Sequence, residues 1–300
     1  MHGRRLSPEK PQLSRTGAAT TDAPPAPARA HVGISGYDYA GWRGTFYPPD
    51  VPKRAWLSYA SRIFDSIELN GTFYSLKSPA VFRRWVEETP QNFLFAVKGS
   101  RFITHNLKLA RAEQALANFL ASGVLALGSK TGPFLWQLPA TYRFDAGRME
   151  RFLRLLPRSA DHAASLARGH DDRLRRGALV TPAASVRFRH AFEVRHPTYM
   201  TEEFFALLRT YGCAYVVADT AGRFPFATDV TADFVYVRLH GSRELYVSGY
   251  GDDELVVWAE RVSAWLRDGL EVFVYFDNDA KVRAPADAQR LMTLLSERGW

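Results

Sequence analysis

The sequence predicts an α/β chain folded as a single (β/α)8 TIM-like barrel. Eight short segments rich in β-branched and aromatic residues recur between residues 31 and 278. Amphipathic segments with helical spacing separate most of them. Together they span roughly 270 residues, the usual size of that fold. An open doubly wound sheet is the competing architecture.

In chain order, the first strand is 31–36, "HVGISG". A helix is expected over 51–63, where Trp56, Tyr59, Ala60 and Ile63 recur on one face. Strand two is 65–70, "DSIELN", followed by a helix over 79–88; strand three is 93–98, "FLFAVK", followed by one over 110–122. Strand four is 133–138, "PFLWQL". The connection after it, 139–189, is long and irregular, with room for two helices, one at 146–156, and the basic loop "RLRRGALVTPAAS". Strand five, 190–195, "HAFEVR", precedes a helix over 201–210. Strand six is 213–219, "CAYVVAD"; the connection over 220–233 is too short and too broken by Gly and Pro for a helix. Strand seven, 234–240, "FVYVRLH", leads through "GDDE", whose acids suit a helix start, into 252–268. There Leu255, Trp258, Ala259, Val262, Trp265 and Leu266 form an apolar stripe. Strand eight, 271–278, "EVFVYFDN", precedes a last helix over 285–298.

Composition narrows the class. Hydrophobic residues make up 46% of the chain, enough for a full core, yet no run of about 18 apolar residues exists to span a membrane. The single cysteine, Cys213, excludes an internal disulfide and suits a reducing cytosol, so a cytoplasmic protein is expected. Its strand context makes it a structural thiol rather than a nucleophile. Of the formal net charge of +8, Arg4, Arg5, Lys10, Arg15 and Arg29 against Glu9 and Asp22 place +3 in residues 1–30 and leave +5 for the remainder. Residues 1–30 are rich in Pro, Ala and Thr and are expected to be a disordered tail. They lack the apolar stretch of a secretory signal. The barrel domain is expected over 31–300.

Catalytic groups of such a barrel sit where its strands end, on the carboxyl face. Strand two ends in Glu68 and Asn70, strand three in Lys98, strand four in Gln137, and strand five in Glu193 and Arg195. Strand six ends in Asp219, strand seven in Arg238 and His240, and strand eight in Asp277 and Asn278. Any one of these could be a structural ion pair. A ring of them at one mouth carries a high desolvation cost, which proteins usually retain at functional sites. The loops add His105 after strand three and the aromatics Tyr74, Tyr246 and Tyr250, which suit stacking on a base or sugar ring. No cofactor is expected. A divalent metal on Glu68, Glu193, Asp219 and His240 is the alternative, opposed by the charges of Lys98, Arg195 and Arg238 in the same ring. There is no Gly-x-Gly-x-x-Gly and no P-loop.

The stretches "GISGYDYAGWRGTFYP", "SIELNGTFYSL", "RRWVEETPQNFLFAVKGSRFITH", "LGSKTGPFLWQLP", "FEVRHPTYM", "TADFVYVRLHG" and "VFVYFDN" resemble the YecE-like family, domain of unknown function 72. The resemblance runs from about residue 31 to about residue 295 and implies a (β/α)8-like barrel without implying a particular reaction. That family is distantly similar to endonuclease-four-like and xylose-isomerase-like barrels, which by fold analogy implies a phosphate-bearing or nucleic-acid ligand. The chain departs from the pattern at Tyr199, where many relatives have tryptophan, and at Ser129 and Thr131, which flank Lys130.

These observations lead to an expected enzyme, a hydrolase or isomerase, acting on an anionic substrate: a phosphate-bearing sugar or a nucleic-acid terminus. Glu68 or Glu193 would serve as general base and His240 as proton donor. Lys98, Arg195 and Arg238 would hold the anion, and Asn70, Gln137 and Asn278 would orient hydroxyls. The alternative is a non-catalytic barrel that binds nucleic acid or a nucleotide. Glu68 and Glu193 separate the two, since binding an anion gains nothing from carboxylates aimed at it.

Overall fold

A computed structural model describes residues 28–174 and 177–300. Eight parallel strands close into a barrel in sequential order. They are β1 (Ala30–Ser35), β2 (Ser66–Leu69), β3 (Leu94–Lys98), β4 (Thr131–Gln137), β5 (His190–Glu193), β6 (Ala214–Asp219), β7 (Phe234–Leu239) and β8 (Glu271–Phe276). The expected tail over 1–30 falls mostly outside the described residues. Its last residue already belongs to β1, and Arg29 O accepts a hydrogen bond from Val272 N.

The helices are α1 (Trp56–Ala60), α2 (Gly71–Tyr74), α3 (Pro79–Glu87), α4 (Glu113–Ala121), α5 (Ala146–Leu155), α6 (Ala160–Ala167), α7 (Glu202–Thr210), α8 (Asp252–Arg267) and α9 (Arg283–Ser296). Short polar side chains start three of them. Asp145, Ser159 and Thr201 accept from backbone N–H groups of the first turns of α5, α6 and α7. No helix forms over 220–233, and two form within 139–189, as expected from the sequence. Two regions differ. The helix expected over 51–63 becomes a 3-10 turn running into the short α1, and a π-helix, Phe102–Asn106, follows β3. Among the described residues, no helix is long and apolar enough to cross a membrane.

Pleating assigns alternate residues to two cores. Val32, Ile34, Ile67, Leu69, Phe95 and Val97 face the helices, in the outer core. Ala96, Leu135, Ala191, Ala214, Val216, Ala218, Phe234, Tyr236, Phe273 and Tyr275 fill the barrel. Four alanines from β3, β5 and β6 make room for the large side chains of β7 and β8, the filling such an interior requires. Charged groups cap both ends of the axis, with aromatic layers between them. At the amino end His31 stacks on Phe273 with centroids 4.7 Å apart, and Arg189 lies over Phe234 and Phe273 while pairing with Glu271. Burial pushes the Glu271 carboxyl up, but His31 and Arg189 outweigh it and hold it down at about 2. In the middle layer Tyr236 and Tyr275 pack against each other, and Tyr275 Oη meets Ser66 Oγ at 2.6 Å.

Lys130 has a structural role. Its buried ammonium donates to Val86 O at 2.6 Å, Thr89 O at 2.8 Å and Thr89 Oγ1 at 3.0 Å, closing the carboxyl end of α3. Tyr199 is buried against Tyr142, Phe144 and Phe204.

A Cβ at Gly33 would stand 1.9 Å from Ser66 O. Replacing Gly33 with alanine therefore has to push β1 and β2 apart at the seam. Urea melts should show Gly33→Ala destabilised by about 1–3 kcal/mol or more; an unchanged midpoint would contradict the register Gly33↔Ser66.

Candidate active site

The carboxyl end of the barrel is closed by one guanidinium. Arg238 points inward from β7 and is 0% exposed. Its Nε donates to Glu68 Oε2 at 3.1 Å and its Nη1 to Glu193 Oε2 at 2.6 Å. Its Nη2 donates to Glu68 Oε1 at 2.8 Å, Asp277 Oδ2 at 2.8 Å and Ser35 Oγ at 3.0 Å. Burial pulls the guanidinium pKa down, but Asp277, Glu68 and Glu193 outweigh it and raise it well above its ordinary value. Glu68 also accepts from Ser35 Oγ and from Tyr236 Oη at 2.6 Å, so both its oxygens are engaged. Glu193 gives its second oxygen to Arg195 Nε at 2.8 Å. Burial pushes the Glu193 carboxyl up; Arg195 and Arg238 overcome that and hold it well below the carboxylate range.

Above this floor lies a cavity of about 770 Å³. Its basic groups come from the ends of β2, β3 and β5: Lys77, Lys98, Arg101, His105 and Arg195. Its acidic groups Asp38, Asp277 and Asp279 come from β1 and β8, neighbours in the closed order. Asp38 is already paired with Lys53 at 2.7 Å. The pocket is thus polarised across its width. Lys98 rises from the floor with its Nζ 4.7 Å from the centroid of Phe73. It is 7% exposed, and among the described residues its Nζ donates no hydrogen bond and forms no ion pair. Burial and the adjacent Arg238 lower its pKa to about 8. Burial, with Arg195, Lys98 and Arg101, lowers His105 to about 4, so it is a neutral imidazole at physiological pH. Arg195 is held by Glu193 and by Tyr246 Oη at 2.9 Å, and stacks on Phe224. Tyr246 adopts φ +66°, a left-handed conformation rare for tyrosine, of the kind found at functional sites.

The residues expected from the sequence fall into three places. Asn70, Tyr74, Lys98, His105, Gln137, Arg195 and Tyr246 line the cavity. Asn70 donates from Nδ2 to Ser35 Oγ and leaves its Oδ1 buried without a partner among the described residues. Glu68, Glu193, Arg238 and His240 lie beneath the floor. The roles expected for them need correction. Both oxygens of each glutamate are occupied, and every guanidinium nitrogen of Arg238 is bonded inside the protein, so none is free to meet a ligand. His240 is fully buried, its Nδ1 3.0 Å from Asp277 Oδ2 and its Nε2 3.6 Å from Glu193 Oε2.

Asp219, Tyr250 and Asn278 are outside the ring. Asp219 shares its pleat with Tyr215 and Val217, which face the helices. It lies in a separate 420 Å³ pocket with Tyr250, Phe226 and Trp258, where burial pushes its carboxyl up. Tyr250 Oη accepts from Gly241 N, and Asn278 Nδ2 donates to Ser248 O at 3.0 Å and to Asp287 Oδ2 at 2.7 Å, tying the loop after β7 to α9. The group that takes the place expected for Asn278 is Asp277. It continues the inward parity of Phe273 and Tyr275, a signal present in the strand pattern. Its Oδ2 binds Arg238, while its Oδ1 has no protein partner among the described residues. Burial pushes it up, but Arg238 and His240 hold it well below the carboxylate range. Ser35 and Tyr236 are likewise inward by parity. The oxygen set expected for a divalent metal does not fit one, because Asp219 faces away and the Arg238 guanidinium fills the space between Glu68 and Glu193. Among the described residues, no group of three or more His, Cys, Asp or Glu side chains is arranged to hold a metal ion.

Two outcomes follow. Arg238→Met leaves three carboxylates buried without their cation, and denaturant unfolding should show a loss of about 3–5 kcal/mol. Lys98 gives a pH signature. Its folded pKa of about 8 lies below its unfolded value of 10.5, so the unfolded chain binds more protons between them. Wild-type stability relative to Lys98→Met should therefore rise as pH goes from 8 to 10, by about 2 kcal/mol. A flat difference would mean that Lys98 is solvated.

A family model described as protein of unknown function DUF72 matches residues 31–299. UPF0759 protein YecE of Escherichia coli (strain K12) is 34% identical over 82 residues, 27% of this chain; in that match the chain spans 30% of YecE. UPF0759 protein YunF of Bacillus subtilis (strain 168) is 23% identical over 290 residues, covering 88% of this chain and 94% of YunF. The crystal structure of a DUF72 family protein (TM1631) from Thermotoga maritima MSB8 superposes with a TM-score of 0.70 at 25% identity, covering 89% of this chain and 99% of that one. With nearly the whole barrel matched, the chain belongs to the DUF72 family.

Proposed function

We propose that the barrel is an enzyme acting on a small anionic substrate at its carboxyl face. The observation that carries this reading is the polarised cavity: cations on the β2, β3 and β5 side face carboxylates on the β8 side. Lys77, Arg101 and Arg195 would hold the anionic group, and Arg195 is already aimed by Glu193 and Tyr246. Lys98 and Asp277 would meet the reacting end, the carboxylate as proton acceptor. Asn70 and Gln137 would orient hydroxyls. A volume of about 770 Å³ suits a small molecule such as a phosphorylated sugar better than a polymer. Glu68 and Glu193 no longer favour catalysis over binding, because Arg238 and Arg195 occupy them; Asp277 now carries that argument. The lone buried Cys213 suits a reducing compartment, the cytosol.

One observation favours the second reading, a barrel that binds nucleic acid or a nucleotide without chemistry. Tyr74 is 70% exposed at the rim beside Phe73 and offers a stacking face. Calorimetric titration with inorganic phosphate, glycerol 3-phosphate and a 5′-phosphorylated oligonucleotide separates the readings. Glycerol 3-phosphate should bind, and Arg101→Ala should weaken it about 10- to 100-fold, the scale of a charged hydrogen bond. Binding of the oligonucleotide alone, weakened by Tyr74→Ala, would support the second reading. No binding of any of the three at millimolar concentration would refute both.

A further inference from the structure

We propose that Lys98 is a covalent nucleophile, whose Nζ forms an imine with a small ketone or aldehyde bearing an anionic group. This rests on the reading of the cavity as an anionic-substrate site and names the substrate class. Two lysines of equal burial differ in their partners. Lys130 and Lys98 are both 7% exposed. Lys130 donates three hydrogen bonds to the carboxyl end of α3. Lys98 donates none among the described residues. With no acceptor from those residues, its ammonium is left to solvent or to a ligand. Lys98 is instead aimed at the one place where a ligand can supply the partner, the cavity that it lines.

The ring of Phe73 covers one side of Nζ at 4.7 Å, a cation–π contact that positions the lysine without accepting a conventional hydrogen bond. Arg238, already committed to three carboxylates, stands beneath. Desolvation beside another cation is a known means of keeping a lysine partly neutral and nucleophilic near pH 7. Here burial first and Arg238 second outweigh the opposing pull of Asp277, Glu68 and Glu193 and bring the amine to about 8. The oxygen acceptor that the chemistry needs is in the same cavity, the Asp277 Oδ1 that Arg238 leaves free.

The step balances without a further reagent. The neutral amine attacks the carbonyl carbon, a C–N bond forms, and the carbonyl π pair moves to oxygen. The nitrogen gives up a proton and the oxygen takes one, with Asp277 able to pass it between them. The carbinolamine C–O bond then breaks, the oxygen leaves with a second proton as water, and the nitrogen lone pair forms C=N. One protonated lysine and one carbonyl become one protonated imine and one water. The Asp277 carboxylate faces that cation and stabilises it. Lys77, Arg101 and Arg195 hold the anionic group and set the carbonyl over Nζ.

The full-length chain should be incubated with pyruvate, glyoxylate or dihydroxyacetone phosphate in the presence of sodium borohydride, then read by intact mass and peptide mapping. At least one probe should add once per chain, on the peptide that contains Lys98, at least ten-fold faster than on exposed Lys53 or Lys281. Excess glycerol 3-phosphate should slow the labelling, and Lys98→Met and Lys98→Arg should lose it; thermal melts check that both variants fold. Labelling spread over exposed lysines with Lys98 no faster, or no adduct on Lys98 with any of the probes, overturns the proposal. If trapping fails while glycerol 3-phosphate still binds in calorimetry, the nucleophile falls and the anionic-substrate reading stands. If glycerol 3-phosphate does not bind either, both fall.

Discussion

The paired contacts of Arg238 with Glu68, Glu193 and Asp277 are the constraint on which the mouth of the barrel depends. Three carboxylates enter one buried layer from β2, β5 and the end of β8, and one guanidinium from β7 meets all three. Arginine alone has a planar fork with enough donors to reach several oxygens from one position. Breaking the layer would strand charges in a medium that solvates them poorly, so its members constrain one another. Four strands are thereby tied across the barrel axis by side chains, in addition to their backbone ladders.

The layer also explains what stands above it. Counting Arg195, two guanidinium groups face three carboxylates, and Lys98 is the third cation. It balances the charge without touching a carboxylate, which leaves its nitrogen directed at the cavity. Arg195 is divided between the two levels, holding Glu193 through Nε and reaching the cavity wall with Tyr246. The site is therefore a supported arrangement: the buried charges position the exposed ones, and the exposed ones are left to meet a ligand.

The opposite end of the barrel uses the same chemistry for closure alone. His31, Arg189 and Glu271 cap the aromatic layer of Phe234 and Phe273. Ion pairs at both ends flank apolar and tyrosine layers between, and only the carboxyl end combines unspent donors with space. The connections after β1, β2, β3 and β7 build walls over the mouth.

Much of the architecture could be read along the chain. Eight apolar segments separated by amphipathic ones specified a closed parallel barrel, because local periodicity reports which faces are buried. The polar strand ends located the polar mouth for the same reason, and strict parity would have chosen Asp277 over Asn278 and set Asp219 outside. What the sequence could not show was which charges meet. Glu68, Glu193 and Arg238 look alike as strand-end polar residues, whether they face a ligand or each other. Only closure of the barrel brings residues 68, 193, 238 and 277 within hydrogen-bonding distance, and that pairing removes three of them from the cavity and leaves Lys98 unpaired. Separations of 39 to 170 residues lie between Arg238 and its carboxylate partners, so no local pattern encodes the contacts. Side-chain charge and spacing determined that a polar mouth would exist; three-dimensional packing decided which of its groups remain free to act.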